Sequence, residues 1–299
     1  MTHPTPLITS RHNPLFRQLL AVRREAGRQG LVLLDGAHLV EEALAAGLPI
    51  QRVAYTPDFA ARPAGQELLE RCRQASQLEG PLPRGTPENP SQASSTLVQL
   101  TPELLAELGE TVTPAGIVAL VSWQAQPATR FWEEADKRAR QAGQPLLLLV
   151  ADAIQDPGNL GTMIRTAVGA GAHGLVLLPG TVQPGNPKVL RASAGLLFRF
   201  PWARLTADEL GQGAGRRGMA VWVAKADGQQ WYDRVNLCRP AALVVANEGH
   251  GPTAATQVIA TGSLAIPLAG GVESLNAAIA AAVILFEAAR QRRGCQSLV

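Results

Sequence analysis

The chain has 299 residues, of which 46% are hydrophobic and 17% are charged, and its formal net charge at pH 7 is +3. This length is sufficient for two domains with buried cores, and the composition excludes a disordered chain. No apolar run reaches the roughly 18 residues that span a bilayer, and the N-terminal residues MTHPTPLITSRHNP lack the features of a signal peptide. We therefore expect no contact with membranes and a cytoplasmic location.

Helical and strand patterns alternate over residues 1–124 and predict a small α/β domain. The predicted elements are helix 13–30, strand 31–35, helix 36–46, strand 51–56, helix 64–78, strand 97–100, helix 102–108 and strand 116–123. Residues 80–96 are rich in proline and small polar residues, which predicts a loop. Residues 125–144 are predicted to form a helical linker to a second domain.

Arginines gather on one face of the first predicted helix. Arg17, Arg24 and Arg28 are spaced i, i+7 and i+11, which places their side chains on the same side. Such a face can contact phosphates, because a guanidinium binds them in a planar, bidentate manner. A solvated helix face remains the alternative.

The second domain is predicted over residues 145–299. Its predicted elements are strand 146–151, helix 159–170, strand 174–178, helix 187–196, helix 206–214, strand 219–224, strand 241–246, strand 263–266 and helix 274–291. This alternation predicts a parallel sheet with helices on both faces. Apolar positions of the last helix form a stripe that we interpret as core or dimer interface; its members are Leu275, Ala278, Ile279, Ala282, Phe286 and Ala289.

Two apparent motifs are rejected on their context. Gly213, Gly215 and Gly218 match the GxGxxG pattern, but they follow a predicted helix and precede a strand, the reverse of the dinucleotide-binding arrangement. The three cysteines are far apart in sequence and show no spacing typical of a metal site. We therefore expect neither a disulfide framework nor a metal centre.

Three polar, glycine-bearing loops each follow an apolar run of strand length. Their sequences are DPGNLGTMIR at 156–165, ANEGHG at 246–251 and IPLAGGVESLN at 266–276. In a parallel α/β sheet, these loops all lie at the carboxyl ends of strands, where such sheets bind ligands. The sequence therefore predicts that the three loops converge on one site.

The order and spacing of these loops resemble the TrmH (SpoU) family of the SPOUT superfamily, strongly over residues 145–292. The N-terminal stretch resembles the substrate-binding domain of that family. The resemblance implies an S-adenosylmethionine-dependent enzyme that methylates a ribose 2′-hydroxyl of rRNA or tRNA, with rRNA favoured by the N-terminal domain. It also implies a C-terminal trefoil knot and a homodimer formed through the C-terminal domain.

The resemblance also assigns roles to individual residues. The principal catalytic residue would be Arg165, and the supporting residues would be Asn159, Glu248, Ser274 and Asn276. The cofactor pocket would include Ala246, Asn247, Gly249, Ile266, Leu268 and Leu275. The charge pattern of the chain, rather than the resemblance, predicts the RNA-binding residues, which are Arg17, Arg24 and Arg28 on the first helix and Lys188 and Arg191 in the second domain.

Several of these roles have structural alternatives. Asn159 and Ser274 could simply cap the helices that follow them, and the segment around Lys188 could be an ordinary helix. Arg165 is often described in the family as a general base, but an arginine is effectively always protonated. We therefore interpret it first as a phosphate anchor that positions the hydroxyl. Ala246 stands where the family usually has glycine.

Two other functions remain as alternatives. A non-catalytic RNA-binding or ribosome-assembly protein could keep this fold, although intact Arg165, Glu248 and Asn276 argue against it. A nucleotide-dependent oxidoreductase would depend on the displaced glycine motif, which fails on its context.

Overall fold

The computed structural model describes residues 7–25, 30–77, 97–109, 115–247 and 249–296. The chain divides into two compact units, the first formed by residues 1–124 and 183–191 and the second by residues 125–182 and 192–299. Within the described ranges, the helices are too short or too polar to cross a membrane.

The first unit contains a five-stranded mixed sheet in the order β1-β4-β3-β5-β2. Strand β5 runs antiparallel to both of its neighbours, whereas the other pairs are parallel. The strands are β1 Leu7–Ile8, β2 Leu31–Asp35, β3 Ile50–Tyr55, β4 Leu97–Leu100 and β5 Ile117–Ser122. The helices are α1 Pro14–Glu25, α2 Ala37–Ala45, α3 Pro57–Ala60, α4 Pro63–Gln77 and α5 Pro102–Leu108. The small α/β domain predicted from the sequence is confirmed.

Helix α1 begins after Asn13, whose side-chain Oδ1 accepts hydrogen bonds from the N–H groups of Leu15 and Phe16 at 2.9 and 3.4 Å. Such side-chain acceptors satisfy N–H groups that the first helical turn cannot pair internally. Phe16 and Leu19 are buried in the core of the first unit. Arg17 and Arg24 are among the exposed residues of α1.

The second unit contains a seven-stranded sheet in the order β10-β12-β9-β11-β6-β7-β8. Every strand pair in it is parallel, as the sequence predicts. The strands are β6 Leu147–Asp152, β7 Gly174–Leu177, β8 Trp202–Arg204, β9 Ala220–Ala224, β10 Gln230–Trp231, β11 Ala241–Ala246 and β12 Gly262–Ala265. The sequence analysis missed β8 and β10, which at three and two residues are too short to show a periodic pattern.

Helices cover both faces of this sheet. The helices of the second unit are α6 Ala128–Gln141, α7 Pro157–Gly169, α9 Ala207–Gly215, α10 Ala254–Ile259 and α11 Ala277–Gln296, whereas α8 Pro187–Ala192 lies almost entirely in the segment 183–191 of the first unit. Helices α6 and α9 pack over one face, and α7 and α11 pack together over the other. The segment 125–144, predicted as a linker, falls within the second unit, where Phe131 and Trp132 of α6 lie in the hydrophobic core.

The predicted helix 187–196 is shorter in the structure. It ends at Ala192, because Ala194 and Gly195 adopt left-handed conformations with φ of 51° and 71°. A single turn of 3₁₀ helix follows at Leu196–Phe198. Left-handed residues terminate a right-handed helix, and only glycine adopts them without steric cost.

Packing explains the first glycine of the rejected GxGxxG pattern. A Cβ atom at Gly213 would lie 2.2 Å from the ring of Trp132, so α9 can lie against α6 only if this residue lacks a side chain. Gly218 follows the end of α9 with φ of 56°, a conformation typical of the residue after a helix. These glycines therefore serve helix packing and termination.

The carboxyl-terminal end of α11 is attached to the segment before β11 in two ways. The side chain of Arg292 is buried and donates hydrogen bonds to the backbone carbonyls of Leu237 at 2.9 Å and Arg239 at 3.0 Å, and to that of Pro145 before β6. A disulfide joins Cys238 to Cys295. The expectation of no disulfide was wrong, because the fold brings together two cysteines that are 57 residues apart in sequence.

Candidate active site

The first predicted loop starts helix α7 with a capping interaction. The side chain of Asp156 accepts a hydrogen bond from the N–H of Asn159 at 2.7 Å, and Pro157 occupies the first helical turn. Asp156 is therefore the N-cap, and the alternative that Asn159 caps this helix is wrong. The side chain of Asn159 instead contacts the third loop.

The third loop ends at Asn276, which caps helix α11. Its Oδ1 accepts hydrogen bonds from the N–H groups of Ala278 and Ile279 at 3.0 and 3.3 Å. Ser274 precedes the helix and is not its cap, contrary to the structural alternative. The Nδ2 of Asn276 donates to the Oδ1 of Asn159 at 2.9 Å, and this hydrogen bond joins the first and third loops.

Arg165 lies six residues after Asn159 on helix α7, and its side chain is exposed. It does not line the cavity described below. An exposed guanidinium outside the cavity wall suits a contact with a large polyanion better than one with a small ligand inside.

Asn247 attaches the second loop to the end of β6, just before the first loop. Its backbone N–H donates to the carbonyl of Asp152 at 3.1 Å, and its Nδ2 donates to the carbonyl of Ala153 at 3.3 Å. Its Oδ1 accepts from the N–H of Gly249 at 2.9 Å, which forms a tight turn. Glu248 lies outside the described residues, and its proposed role stays a prediction.

A cavity of about 520 Å³ opens at the carboxyl edge of the sheet, between the second and third loops. Six of the residues predicted to bind the cofactor or support catalysis line it: Ala246, Asn247, Ile266, Leu268, Ser274 and Leu275. Gly249, predicted to bind the cofactor, does not line the cavity. The lining residues that the sequence analysis missed are Ala224, Lys225, Ala226, Asp227, Val245, Gly251, Pro252, Gln257, Leu264, Ala277 and Ala280.

Lys225 and Asp227 could have been found by the reasoning applied to the other loops. They follow β9, whose carboxyl end lies at the same edge of the sheet between β11 and β12. Lys225 Nζ lies 3.4 Å from a carboxylate oxygen of Asp227, so the cavity has a polar rim as well as apolar walls. Gly228 follows Asp227 directly, so this segment carries the same kind of polar, glycine-bearing sequence as the other three loops.

The shape and chemistry of the cavity fit S-adenosylmethionine. Its volume falls in the range of roughly 300–1,000 Å³ that is typical of small-molecule sites, and Ile266, Leu268 and Leu275 supply apolar walls for an adenine ring. Polar groups of Lys225 and Gln257 provide hydrogen-bonding partners. Within the described ranges, histidine, cysteine and acidic side chains do not cluster into a metal site.

The predicted RNA-binding residues differ in their surroundings. Arg17 and Arg24 are exposed on α1, whereas Arg28 lies outside the described residues. Lys188 is exposed on α8. Arg191 is half-buried and lies 3.8 Å from a carboxylate oxygen of Asp35, an ion pair within the first unit that competes with phosphate binding.

Comparisons with known proteins agree with this fold and site. Residues 146–286 match the SpoU rRNA methylase family, and residues 16–119 match the MRM3-like substrate-binding domain. The chain is 30% identical to a 23S rRNA (uridine(2479)-2′-O)-methyltransferase of Streptomyces viridochromogenes over 95% of this chain and 92% of the relative. It is also 30% identical to the 23S rRNA (guanosine(2553)-2′-O)-methyltransferase RlmP of Bacillus subtilis, over 89% of this chain and 92% of that protein.

A solved structure has a similar fold over most of the chain. The SpoU methyltransferase AviRb of Streptomyces viridochromogenes, in complex with AdoMet (S-adenosylmethionine), superimposes with a TM-score of 0.77 and 27% sequence identity, covering 94% of this chain and 99% of that one. The fold, the cavity and these matches define an S-adenosylmethionine-dependent RNA methyltransferase. The chain belongs to the SpoU rRNA methylase family.

Proposed function

We propose that this protein transfers a methyl group from S-adenosylmethionine to a ribose 2′-hydroxyl of rRNA in the cytoplasm. The observation that supports this function best is the cavity at the sheet edge, together with the hydrogen bond from Asn276 to Asn159 that joins its third loop to helix α7. The two rRNA-modifying relatives act on uridine and on guanosine, so family membership alone does not specify the nucleotide.

The chemistry divides between the cavity and helix α7. S-adenosylmethionine, when bound, supplies an activated methyl group on its sulfonium. The cavity walls hold the cofactor and exclude water, and we assign the adenine side to Leu275 and its apolar neighbours. Arg165 binds the backbone phosphate next to the target ribose and orients the 2′-hydroxyl, because its guanidinium offers a fixed fork of donors. Such positioning can lower a barrier by several kcal/mol.

Cofactor binding gives the first prediction. Calorimetry should show saturable binding of S-adenosylhomocysteine and none of NADH, because the cavity has apolar walls and the glycines of the GxGxxG pattern are not among the residues that line it. Leu275→Trp should weaken this binding at least tenfold, since an indole would fill the space beside the cavity wall. Val258→Trp is the matched control, because Val258 is exposed on α10 and does not line the cavity. If the affinity of the Leu275 variant were unchanged, Leu275 would not be part of the cofactor site.

RNA capture gives the second prediction. Arg17 and Arg24 share the exposed face of α1, so replacing both by alanine should weaken rRNA binding. The slope of log affinity against log salt should flatten by up to about 0.7–0.9 for each lost phosphate contact. Arg130→Ala with Arg216→Ala makes the same charge change on exposed positions of the second unit and should alter the slope less. Equal slopes for wild type and the α1 variant would show that this helix face is only solvated and does not contact phosphates.

We also propose a homodimer formed through α11. The helix buries a different stripe from the predicted one: its core residues are Ala277, Ala278, Ala281, Ile284, Leu285 and Ala288. Ile279 and Phe286, one heptad apart, are left 52% and 51% exposed on another face of the helix. Large apolar side chains that are exposed together favour a protein–protein interface. Light scattering at micromolar concentration tests whether the mass in solution is that of two chains. The trefoil knot implied by the family resemblance stays a prediction.

The target nucleotide can be found by mass-spectrometric mapping of 2′-O-methyl groups in rRNA and tRNA from cells with and without the gene. The proposed function expects one or more rRNA methyl groups to disappear with the gene. An unchanged pattern would favour the alternative, an RNA-binding or ribosome-assembly protein without catalytic activity.

A further inference from the structure

The carboxylate of Asp152 is buried where the first and second loops meet. Asp152 is the last residue of β6, has 0% exposure and pairs in register with Ala246 of β11. Its Oδ2 accepts a hydrogen bond from the backbone N–H of Thr253 at 2.8 Å. The described residues donate no hydrogen bond to Oδ1, which is also buried. Burying a carboxylate is costly, so its placement here needs an explanation beyond packing.

Asp152 holds both ends of the second loop. At the start of the loop, the backbone carbonyl of Asp152 accepts the N–H of Asn247 at 3.1 Å. At the end, its carboxylate accepts the N–H of Thr253, which caps helix α10 through a hydrogen bond from the N–H of Thr256 to its side chain. The last residue of β6 therefore fixes where the second loop leaves the sheet and where it enters the next helix.

The fixed segment is a wall of the cavity. Asn247, Gly251 and Pro252 line the cavity, whereas Asp152 does not. The N–H of Gly251 donates to the carbonyl of Asn247 at 2.8 Å, which connects the cavity-lining residues on the two sides of the loop. Loss of the Thr253 attachment would leave this wall held at one end.

We propose that Asp152 is a positioning residue, whose hydrogen bond from Thr253 holds the second loop in the shape that binds S-adenosylmethionine. This inference rests on the proposed cofactor site in the cavity. Since the described residues use only one carboxylate oxygen, a single acceptor at this position is sufficient. An amide oxygen can therefore replace the carboxylate, but a methyl group cannot.

Two variants of Asp152 test the role. Asp152→Ala should weaken S-adenosylhomocysteine binding about tenfold or more, the range expected for a lost hydrogen bond to a charged group. It should raise KM for S-adenosylmethionine by a similar factor and leave kcat at saturating cofactor within a few-fold. Asp152→Asn should keep the affinity within about threefold. Hydrogen exchange of the segment 247–253 should quicken in the alanine variant only.

Thr261→Val is the matched control. Thr261 Oγ1 accepts the N–H of Val221 at 2.9 Å, so this variant also removes a side-chain acceptor of a backbone N–H, at the amino edge of the same sheet. It should lower the melting temperature without changing cofactor affinity. Equal weakening by Thr261→Val and Asp152→Ala would show general loosening and overturn the positioning role, as would equal weakening by the alanine and asparagine variants.

The wild-type protein separates this inference from the proposed function. If it does not bind S-adenosylhomocysteine, the proposed cofactor site is wrong. If it binds and Asp152→Ala binds equally well, only the positioning role is overturned. If the alanine variant fails to fold, hydrogen exchange of the wild-type protein still tests the positioning role. The proposal expects the Thr253 amide to exchange slowly, and rapid exchange of that amide would contradict it.

Discussion

Replacing Arg165 by alanine should reduce kcat/KM for methyl transfer at least about a hundredfold while leaving S-adenosylhomocysteine affinity within a few-fold of wild type. The side chain is exposed on α7 and does not line the cofactor cavity, so its loss should spare cofactor binding. Losing the group that positions a reacting hydroxyl can cost about 10²-fold in rate. Single-turnover methyl transfer from radiolabelled cofactor to rRNA measures the first effect, and calorimetry measures the second.

Arg165→Lys tests whether methyl transfer requires the planar guanidinium or only a positive charge at this position. An ammonium keeps the positive charge but lacks the planar donors that bind a phosphate at two points. We therefore expect only partial rescue by lysine. Near wild-type turnover in this variant would show that charge alone is sufficient, and a large loss of cofactor affinity in the alanine variant would place Arg165 in the cofactor site.

Unfolding stability should fall by about 3 kcal/mol between neutral pH and pH 4 because of His173. This side chain is 4% exposed, and its Nδ1 accepts the N–H of Leu147 at 3.0 Å, which requires an unprotonated nitrogen. Burial, followed by the positive charges of Arg292 and Arg138, lowers the pKa of His173 from 6.5 to about 4.

The direction follows from proton uptake by the unfolded chain. Between pH 6.5 and 4, His173 binds a proton in the unfolded state but stays neutral in the folded state. The contribution of this residue to the free energy of unfolding is therefore complete above about pH 6.5 and declines as the pH falls toward the folded pKa. Urea unfolding at several pH values measures this loss. His173→Gln cannot titrate, so its stability should decline less over that interval, and parallel curves for the two proteins would contradict the assignment.

Strand-length apolar runs were enough to predict the parallel sheet of the second unit. Once the strands were assigned, the carboxyl-edge rule brought the three loops together, because it depends only on strand direction. The same rule would have found Lys225 and Asp227 at the end of β9. Sequence patterns predicted which residues begin each loop. The parallel direction of the strands then placed these loops at one edge of the sheet.

Features that depend on side-chain direction could not be predicted in this way. Asn276, rather than Ser274, caps α11, so the helix starts three residues later than predicted. The side of α11 that packs on the protein also leaves Ile279 and Phe286 exposed, contrary to the predicted stripe. The bond from Thr253 to Asp152 joins residues about a hundred positions apart and leaves no local pattern. The disulfide was missed for the same reason.

The end of α11 is fastened by Arg292 as well as by the disulfide, and the two attachments respond to different chemistry. Burial lowers the pKa of Arg292 only to about 10, so its guanidinium keeps its charge and its hydrogen bonds to backbone carbonyls at physiological pH. Thiol reductants do not act on those bonds. Reduction of Cys238 and Cys295 therefore removes a covalent constraint, while the same helical turn stays attached to the same segment. We therefore expect reduction to leave α11 in place, together with Asn276 at its opposite end, which contacts Asn159.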